Sequence, residues 1–424
     1  MNAVEERSQL ARRPALWTAL AAAAAFAVLA ALLVPWDWVP GGALVPMRPH
    51  QLFSTEQILR AEHYSSLAHT LSWASYGVSI LVSLVLGLTP LGARLLRRTG
   101  HRLRWWLTVP LGTLLLLGIG RLVTLPFGIL LHQENLRYGL SRESLPGWGA
   151  DQAKSLLVSW VMTSILLLVM VGFARWSPRF WFAWAAGIAA VLTVAGSFLY
   201  PVLVEPLFNS FTPMHPSPLR ASIFRLADKE GVSINDVLVA DASRRTTTVN
   251  AYVSGIFGTR RVVVYDTLLK DLSPAEVQVV VAHELGHARN NDVLTGTVLG
   301  AVGAVVGVSL LALLLDSGVL RRRAGADGAA DPAAIALVLA LVAVGSFLVA
   351  PLQNGMSRAI EARADRASIT ATHRPQVFIE MQRQIAVRSL SDPTPPWFSQ
   401  FWFGTHPTAL QRAGLPASMA RAKQ

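Results

Sequence analysis

Ser273-Pro274-Ala275-Glu276-Val277-Gln278-Val279-Val280-Val281-Ala282-His283-Glu284-Leu285-Gly286-His287 reads as one helix with a two-histidine motif at its end. Ser273 with Glu276 three residues on, and proline at the first helical position, is a capping-box start. Nothing from Val277 to Ala282 breaks the helix. His283 and His287 stand four apart, just over one turn, so both imidazoles share a face and can hold one zinc ion. Glu284 then falls beside the metal, where a carboxylate can accept a proton from water whose pKa zinc lowers to about 7. The stretch predicts a helix that carries a zinc-dependent hydrolytic centre.

The 424-residue chain is 52% hydrophobic and only 15% charged, too apolar for a soluble domain of this length. Apolar windows of about twenty residues, each able to cross a bilayer, fall at 15–36, 72–93, 105–131, 156–174, 180–203, 293–315 and 333–352. The first follows Arg12-Arg13 and contains Ala-x-Ala patterns like those of a secretory leader. Its apolar run is longer than a leader's, which predicts a retained anchor. Residues 53–67 are polar and run into the second window, predicting a long helix that projects out of the bilayer. The segment 133–154, rich in Gly, Ser, Trp and charge, suits a cap or gate near a cavity. A solvated connector is the plainer alternative for both.

There is no cysteine, so disulfides and thiolate ligands are excluded and histidine and carboxylate remain as the strong metal ligands. The net charge of +12 does not imply nucleic acid. No nucleic-acid motif is present, and the basic residues gather at span ends: Arg94, Arg97, Arg98, Arg102 and Arg104, then Arg321, Arg322 and Arg323. Charge placed so reads as a topology signal or a grip on anionic lipid. Seven spans put these residues on one face and the zinc motif on the other. The positive-inside rule makes the arginine-rich face cytoplasmic and catalysis external. Only four of the 37 basic residues are lysine, a bias that suits a GC-rich bacterial genome and hence a bacterial plasma membrane.

The expected organisation is a five-span membrane region at 1–204, the first part of an α+β catalytic module at 205–292, two further spans at 293–352, and the second part of the module at 353–424. Within the module, residues 218–230 read as a helix and 237–242, 246–254 and 261–265 as strands. The zinc helix follows.

Two histidines leave a catalytic zinc one protein ligand short. Residues 356–372 contain no Gly or Pro and read as a helix with Glu361 and Asp365 four apart on one face. Glu361 is the candidate third ligand, and Asp365 the acceptor that fixes the tautomer of a ligating histidine. The alternative is a solvated surface helix in which Arg358, Glu361, Arg363, Asp365 and Arg366 form ion pairs. His50, His63, His69, His101, His132, His215 and His373 lack ligand spacing to a partner and read as structural or solvated.

Together these residues resemble the type I CAAX prenyl proteases, integral-membrane zinc metallopeptidases with seven spans. Residues 200–213 look like that family's segment after the fifth span, Asn250-Ala251-Tyr252 like its strand before the zinc helix, Glu361 to Asp365 like its Glu-x-x-x-Asp element, and His406-Pro407 with Arg412 like its C-terminal signature. The resemblance implies a mostly α membrane protein, with seven helices around a chamber and a zincin-like α+β module split by the last two spans. It implies one zinc held by His283, His287 and Glu361, with Glu284 as general base and Asp365 behind the ligands. His406 would donate to the oxyanion, Arg412 would orient it or bind substrate, and the strand at Asn250 would pair with an extended peptide. The implied partners are the lipid bilayer and a peptide or protein substrate, prenylated or not. Residues 288–292, short and polar, depart from the family pattern and are expected to stay clear of the ligands. Eukaryotic members are expected to cleave on the cytosolic side, against the charge argument above.

Two other readings stay open at this level: a membrane-protein quality-control protease without prenyl specificity, and a polytopic transport or signalling protein with a non-catalytic metal site.

Overall fold

The structure, a computed structural model, describes residues 10–37, 39, 44–255 and 260–422. Among the described residues, seven helices are long and apolar enough to cross a membrane. They are α1 (Arg12–Leu33), α3 (Thr55–Leu88), α5 (Trp105–Arg137), α6 (Leu145–Trp176), α7 (Trp181–Leu203), α11 (Asp292–Leu315) and α13 (Ile335–Thr372). Between them lie the short helices α2 (Pro49–Leu52), α4 (Pro90–Gly100) and α12 (Gly318–Ala324). The 34 residues of α3 span about 51 Å at 1.5 Å each, well beyond a hydrocarbon core of about 30 Å. The long helix expected to run from the polar segment into the second window is therefore present, beginning at Thr55.

The expected loop at 133–154 is mostly helix. α5 runs on to Arg137, and α6 starts at Leu145 because the Ser144 hydroxyl accepts from the Gly147 N–H and Pro146 suits the first turn. The short link that remains lines a cavity of about 560 Å³ with Tyr138, Gly139, Leu140 and Arg142, as expected of a segment near a cavity, and it also docks the catalytic module. Ser141 bridges to Thr246, and Arg245 Nη1 donates to Asp151 Oδ2 at 3.2 Å.

One end of the bundle collects the arginines. Arg12 pairs with Asp316 at 2.8 Å, Arg97 with Asp331 at 3.4 Å, and Arg175 donates to the Ala330 carbonyl at 3.2 Å. At the other end sits the α+β module. Its four-stranded sheet has the order β1-β2-β4-β3: β1 (Phe211–Pro213), β2 (Asp236–Ala240), β3 (Ala251–Ser254) and β4 (Arg261–Tyr265). β4, with Val262, Val263 and Val264 all buried, is paired on both sides, parallel to β2 and antiparallel to β3. β3 is shorter than the expected 246–254. The Thr246 and Thr248 hydroxyls bond each other, and the Thr248 carbonyl accepts from Thr267, which turns the chain away from the ladder.

Helices α8 (Pro218–Lys229) and α10 (Pro274–Arg289) cover the sheet, joined by α9 (Asp266–Asp271). Val279, Val281 and Leu285 of α10 meet Val262, Val264 and Ile223 in one core. The capping box is formed: the Ser273 N–H donates to Glu276 Oε2 at 2.8 Å. The boundary expected between 352 and 353 falls inside a helix. The seventh span and the helix bearing Glu361 are one 38-residue α13, continuous through Pro351. Helices α14 (Pro375–Ser389), α15 (Trp397–Trp402) and α16 (Ala409–Arg421) complete the module. α15 is pinned to the spans by aromatic contacts, Trp402 stacking on Phe347 at 5.3 Å and Phe398 edge-on to Trp73 at 6.0 Å.

α10 lies unusually close to α13. A Cβ at Gly286 would stand 3.0 Å from Ala367 Cβ, and Ser368 Oγ donates to the Val279 carbonyl at 2.7 Å. Gly286→Val is expected to lose about 1–3 kcal/mol through overpacking, read as a lower Tm of the metal-stripped protein. An unchanged Tm would mean the two helices have room to separate.

Candidate active site

Three segments that are distant in sequence converge at one end of a cavity of about 870 Å³. α10 contributes His283, Glu284 and His287, α13 contributes Glu361 and Asp365, and the turn between α15 and α16 contributes His406. The two histidines meet at 3.1 Å between their Nε2 atoms. Glu361 Oε2 lies 3.2 Å from His283 Nε2, and Oε1 lies 3.6 Å from His287 Nε2.

Ligand atoms of His283, His287 and Glu361 fall within 4.8 Å of one another, the one such group among the described residues. Glu361 Oε2 is buried without a hydrogen-bond partner. Two ring nitrogens pointed together beside an orphaned carboxylate oxygen fit a divalent cation, and two nitrogens with one oxygen is a ligand set that catalytic zinc takes.

Each histidine turns its other nitrogen to a carboxylate. His283 Nδ1 lies 2.9 Å from Asp365 Oδ1, and His287 Nδ1 lies 2.8 Å from Asp292 Oδ2. That arrangement puts the proton on Nδ1 and frees Nε2 for a metal. Both carboxylates are in turn held by arginine. Arg412 grips Asp365 with two bonds at 2.8 and 2.6 Å, and Arg363 pairs with Asp292.

Asp292 corrects the expectation that residues 288–292 stay clear of the ligands. Asn291 takes a left-handed conformation, φ 54°, which ends the turn after α10 and folds Asp292 back onto His287. No sequence signal short of that turn conformation marks it. Arg412, expected at the substrate or at His406, lines the cavity but commits its guanidinium to Asp365. Arg363 sits in an ion pair as the surface-helix alternative had it, yet within the site.

Glu284 lines the cavity beside the histidines. Burial pushes its carboxyl above the ordinary range, against the pull of His283 and His287. His406 presents its ring to the cavity with Nε2 3.3 Å from Glu361 Oε2, and its Nδ1 is 2.8 Å from the Thr405 hydroxyl. Its pKa is lowered by burial and by Arg412, opposed by the charge of Glu361. The turn that carries it is strapped to α13. Arg358 Nη1 donates to the carbonyls of Gln400 at 3.0 Å and Gly404 at 2.6 Å, and Gln400 Nε2 donates to the His406 carbonyl at 2.7 Å. Arg358 was legible only as a helix charge.

Asn250 and Ala251 line the same cavity. The Asn250 carbonyl accepts from Tyr265 at 3.0 Å, and β3 is an edge strand whose outer side no described strand covers. His69, expected to be structural, also lines the cavity, stacked on Trp73.

Residues 215–414 match the family model of peptidase family M48, and residues 42–210 match that of the CAAX prenyl protease N-terminal region, five membrane helices. The uncharacterized metalloprotease YhfN of Bacillus subtilis (strain 168) is 30% identical over 296 residues, 69% of this chain and 70% of that protein. The CAAX prenyl protease 1 homolog of Dictyostelium discoideum is 31% identical over 240 residues, 54% of each. The crystal structure of S. mikatae Ste24p has the same fold, with a TM-score of 0.75 at 20% identity over 95% of this chain and 98% of that one.

Removing a carboxylate behind a ligating histidine typically costs 10–100-fold in metal affinity. Asp292→Ala and Asp365→Ala are each expected to lose about that much, measured by competition with a chromophoric chelator. Affinity equal to wild type in Asp292→Ala would reduce its contact with His287 to a bystander.

Proposed function

The chain belongs to the membrane-embedded zinc metalloproteases of peptidase family M48, and from that premise we propose that it is an endopeptidase cutting extended polypeptides at the His283–His287–Glu361 centre. The observation that carries this is the convergence of those three residues with Glu284 and His406 at one cavity end. Zinc bound there supplies a Lewis acid that polarises a carbonyl and makes water nucleophilic near neutral pH.

The chain's own residues do the rest. Glu284 takes the proton of the attacking water and passes it to the leaving amine, a task helped by burial raising its carboxyl above the ordinary range. The Thr405 hydroxyl donating to His406 Nδ1 leaves the ring proton on Nε2, which then donates to the carbonyl oxygen as negative charge develops. Substrate main chain adds to the outer edge of β3 near Asn250, where backbone bonds read little sequence. Asp365 and Asp292, held by Arg412 and Arg363, fix the ligating rings.

The names of relatives called CAAX prenyl proteases support a prenylated peptide as the proposed substrate. A fluorogenic prenylated peptide and its unprenylated twin, each with and without a zinc chelator, test it. Cleavage of the prenylated peptide alone supports that specificity, equal cleavage of both supports a broader protease, and chelator-resistant cleavage removes the metal reading.

Glu284→Gln should abolish turnover while zinc stays bound, and Glu361→Ala should lower zinc occupancy. His406→Ala should cut turnover by about 10²–10³-fold with zinc unchanged, the usual size for one oxyanion donor. Metal analysis beside kinetics checks the series. Full zinc and full activity in Glu361→Ala would remove it as a ligand.

The arginine-rich end is proposed to face the cytoplasm of a bacterial plasma membrane, with catalysis on the outer side. Because the chain has no native cysteine, single cysteines at Ser317 and Ser210 report the faces in intact cells through an impermeant thiol reagent. Labelling at Ser210 with protection at Ser317 is expected, and the reverse pattern overturns the assignment.

A further inference from the structure

Five of the seven residues from Trp397 to Phe403 are aromatic, and from Pro393 to Gly404 none is charged. Pairs four apart divide α15 into three faces. Phe398 and Trp402 meet the spans: Phe398 stands edge-on to Trp73 of α3, and Trp402 stacks on Phe347 of α13 and donates from Nε1 to its carbonyl at 3.1 Å. Ser399 and Phe403 line the cavity that holds Glu284 and His406. Trp397 and Phe401 face outward, 75% and 42% exposed, and among the described residues their ring contacts stay within α15.

Two spans running in opposite directions fix the level at which this helix lies. The apolar window of α3, 72–93, begins at α15, where Trp73 meets Phe398 and Tyr76 stands edge-on to Phe403 at 5.8 Å. The window of α13, 333–352, ends there, with Phe347 against Trp402 and Asn354 donating to the Trp402 carbonyl. At that level α13 turns Leu348 and Leu352, four apart, outward, 66% and 48% exposed. The outer face of α15 therefore lies at the margin of an apolar surface belonging to a membrane span. Trp and Phe are the side chains that populate the water–lipid boundary.

We propose that α15, although part of the catalytic module and outside the seven spans, is an interfacial helix that embeds Trp397 and Phe401 between lipid headgroups and acyl chains. Its opposite face walls the catalytic cavity, so a single turn and a half of helix separates that cavity from lipid. The bilayer surface then sets the depth of the His406 turn, because Arg358 and Gln400 tie that turn to the end of the same helix. A second copy of the chain fits less well, since two side chains on a six-residue helix offer far less area than a stable dimer buries. The proposal goes beyond the peptidase reading and rests on the spans alone.

The absence of native cysteine allows single spin labels at Trp397→Cys and Phe401→Cys, with the full-length protein in nanodiscs. Collisions with oxygen, which concentrates in lipid, are compared with collisions with a neutral nickel chelate, which stays in water. Leu348→Cys is the lipid reference and Asp228→Cys the water reference. Asp228 is exposed beside Lys229, whose Nζ donates to the Ala371 carbonyl, about 28 Å along α13 from Leu352 at 1.5 Å per residue. Both α15 labels are expected between the two references, with oxygen collisions in excess. Chelate collisions as frequent as at Asp228 overturn the proposal. Protection from both probes, relieved when each disc holds one molecule, overturns it in favour of a second copy. A measurement on the wild type needs no variant: a phospholipid with a photoactivatable diazirine near its ester carbonyl should attach to the peptide spanning 393–403. Attachment around Leu348 with none on that peptide sinks the interfacial assignment.

Discussion

Two imidazole nitrogens face each other at 3.1 Å beside a buried carboxylate oxygen with no hydrogen-bond partner, and such a group needs a cation to satisfy it. The rest of the catalytic end is arranged to keep those atoms in place. The sheet and its valine core hold α10 from one side. Close packing at Gly286 and the Ser368 bond to the Val279 carbonyl hold it against α13 from the other. Two arginine–aspartate–histidine chains set the ring planes from behind.

Those two chains resemble each other in chemistry and differ in origin. Asp365 comes from the same helix as Glu361 and is gripped by an arginine from α16, whereas Asp292 follows the zinc helix and is gripped by an arginine from α13. A buried aspartate alone is expensive, and a bidentate arginine offsets much of that cost. Losing either arginine leaves a desolvated carboxylate beside His283 or His287, so both arginines support the candidate metal site without being ligands of it.

What the sequence made legible was local. The capping box at Ser273, the four-residue spacing of the histidines, Glu361 and Asp365 on one helix face and the seven apolar windows all depend on periodicities within a few turns. What it hid was long-range or turn-dependent. Asp292 reaches His287 only through a left-handed Asn291, Arg358 finds its carbonyls more than forty residues away, and Arg412 finds Asp365 across forty-seven. The continuity of α13 through Pro351 was hidden for another reason: composition changes there from apolar to charged while the helix does not stop.

That continuity makes the catalytic end a cassette mounted on one mast. α13 carries Glu361 and Asp365 itself, clasps α10 near Gly286, and straps the His406 turn through Arg358. When a thicker or thinner bilayer tilts this helix, Glu361, Asp365, the clasped α10 with His283, Glu284 and His287, and the His406 turn are tied to it and travel together. What shifts is the register between the cassette and the cavity walls contributed by the other spans. On the function proposed above, lipid composition would act on which substrates reach the His283–His287–Glu361 cluster and how they lie, more than on the geometry of the cluster itself.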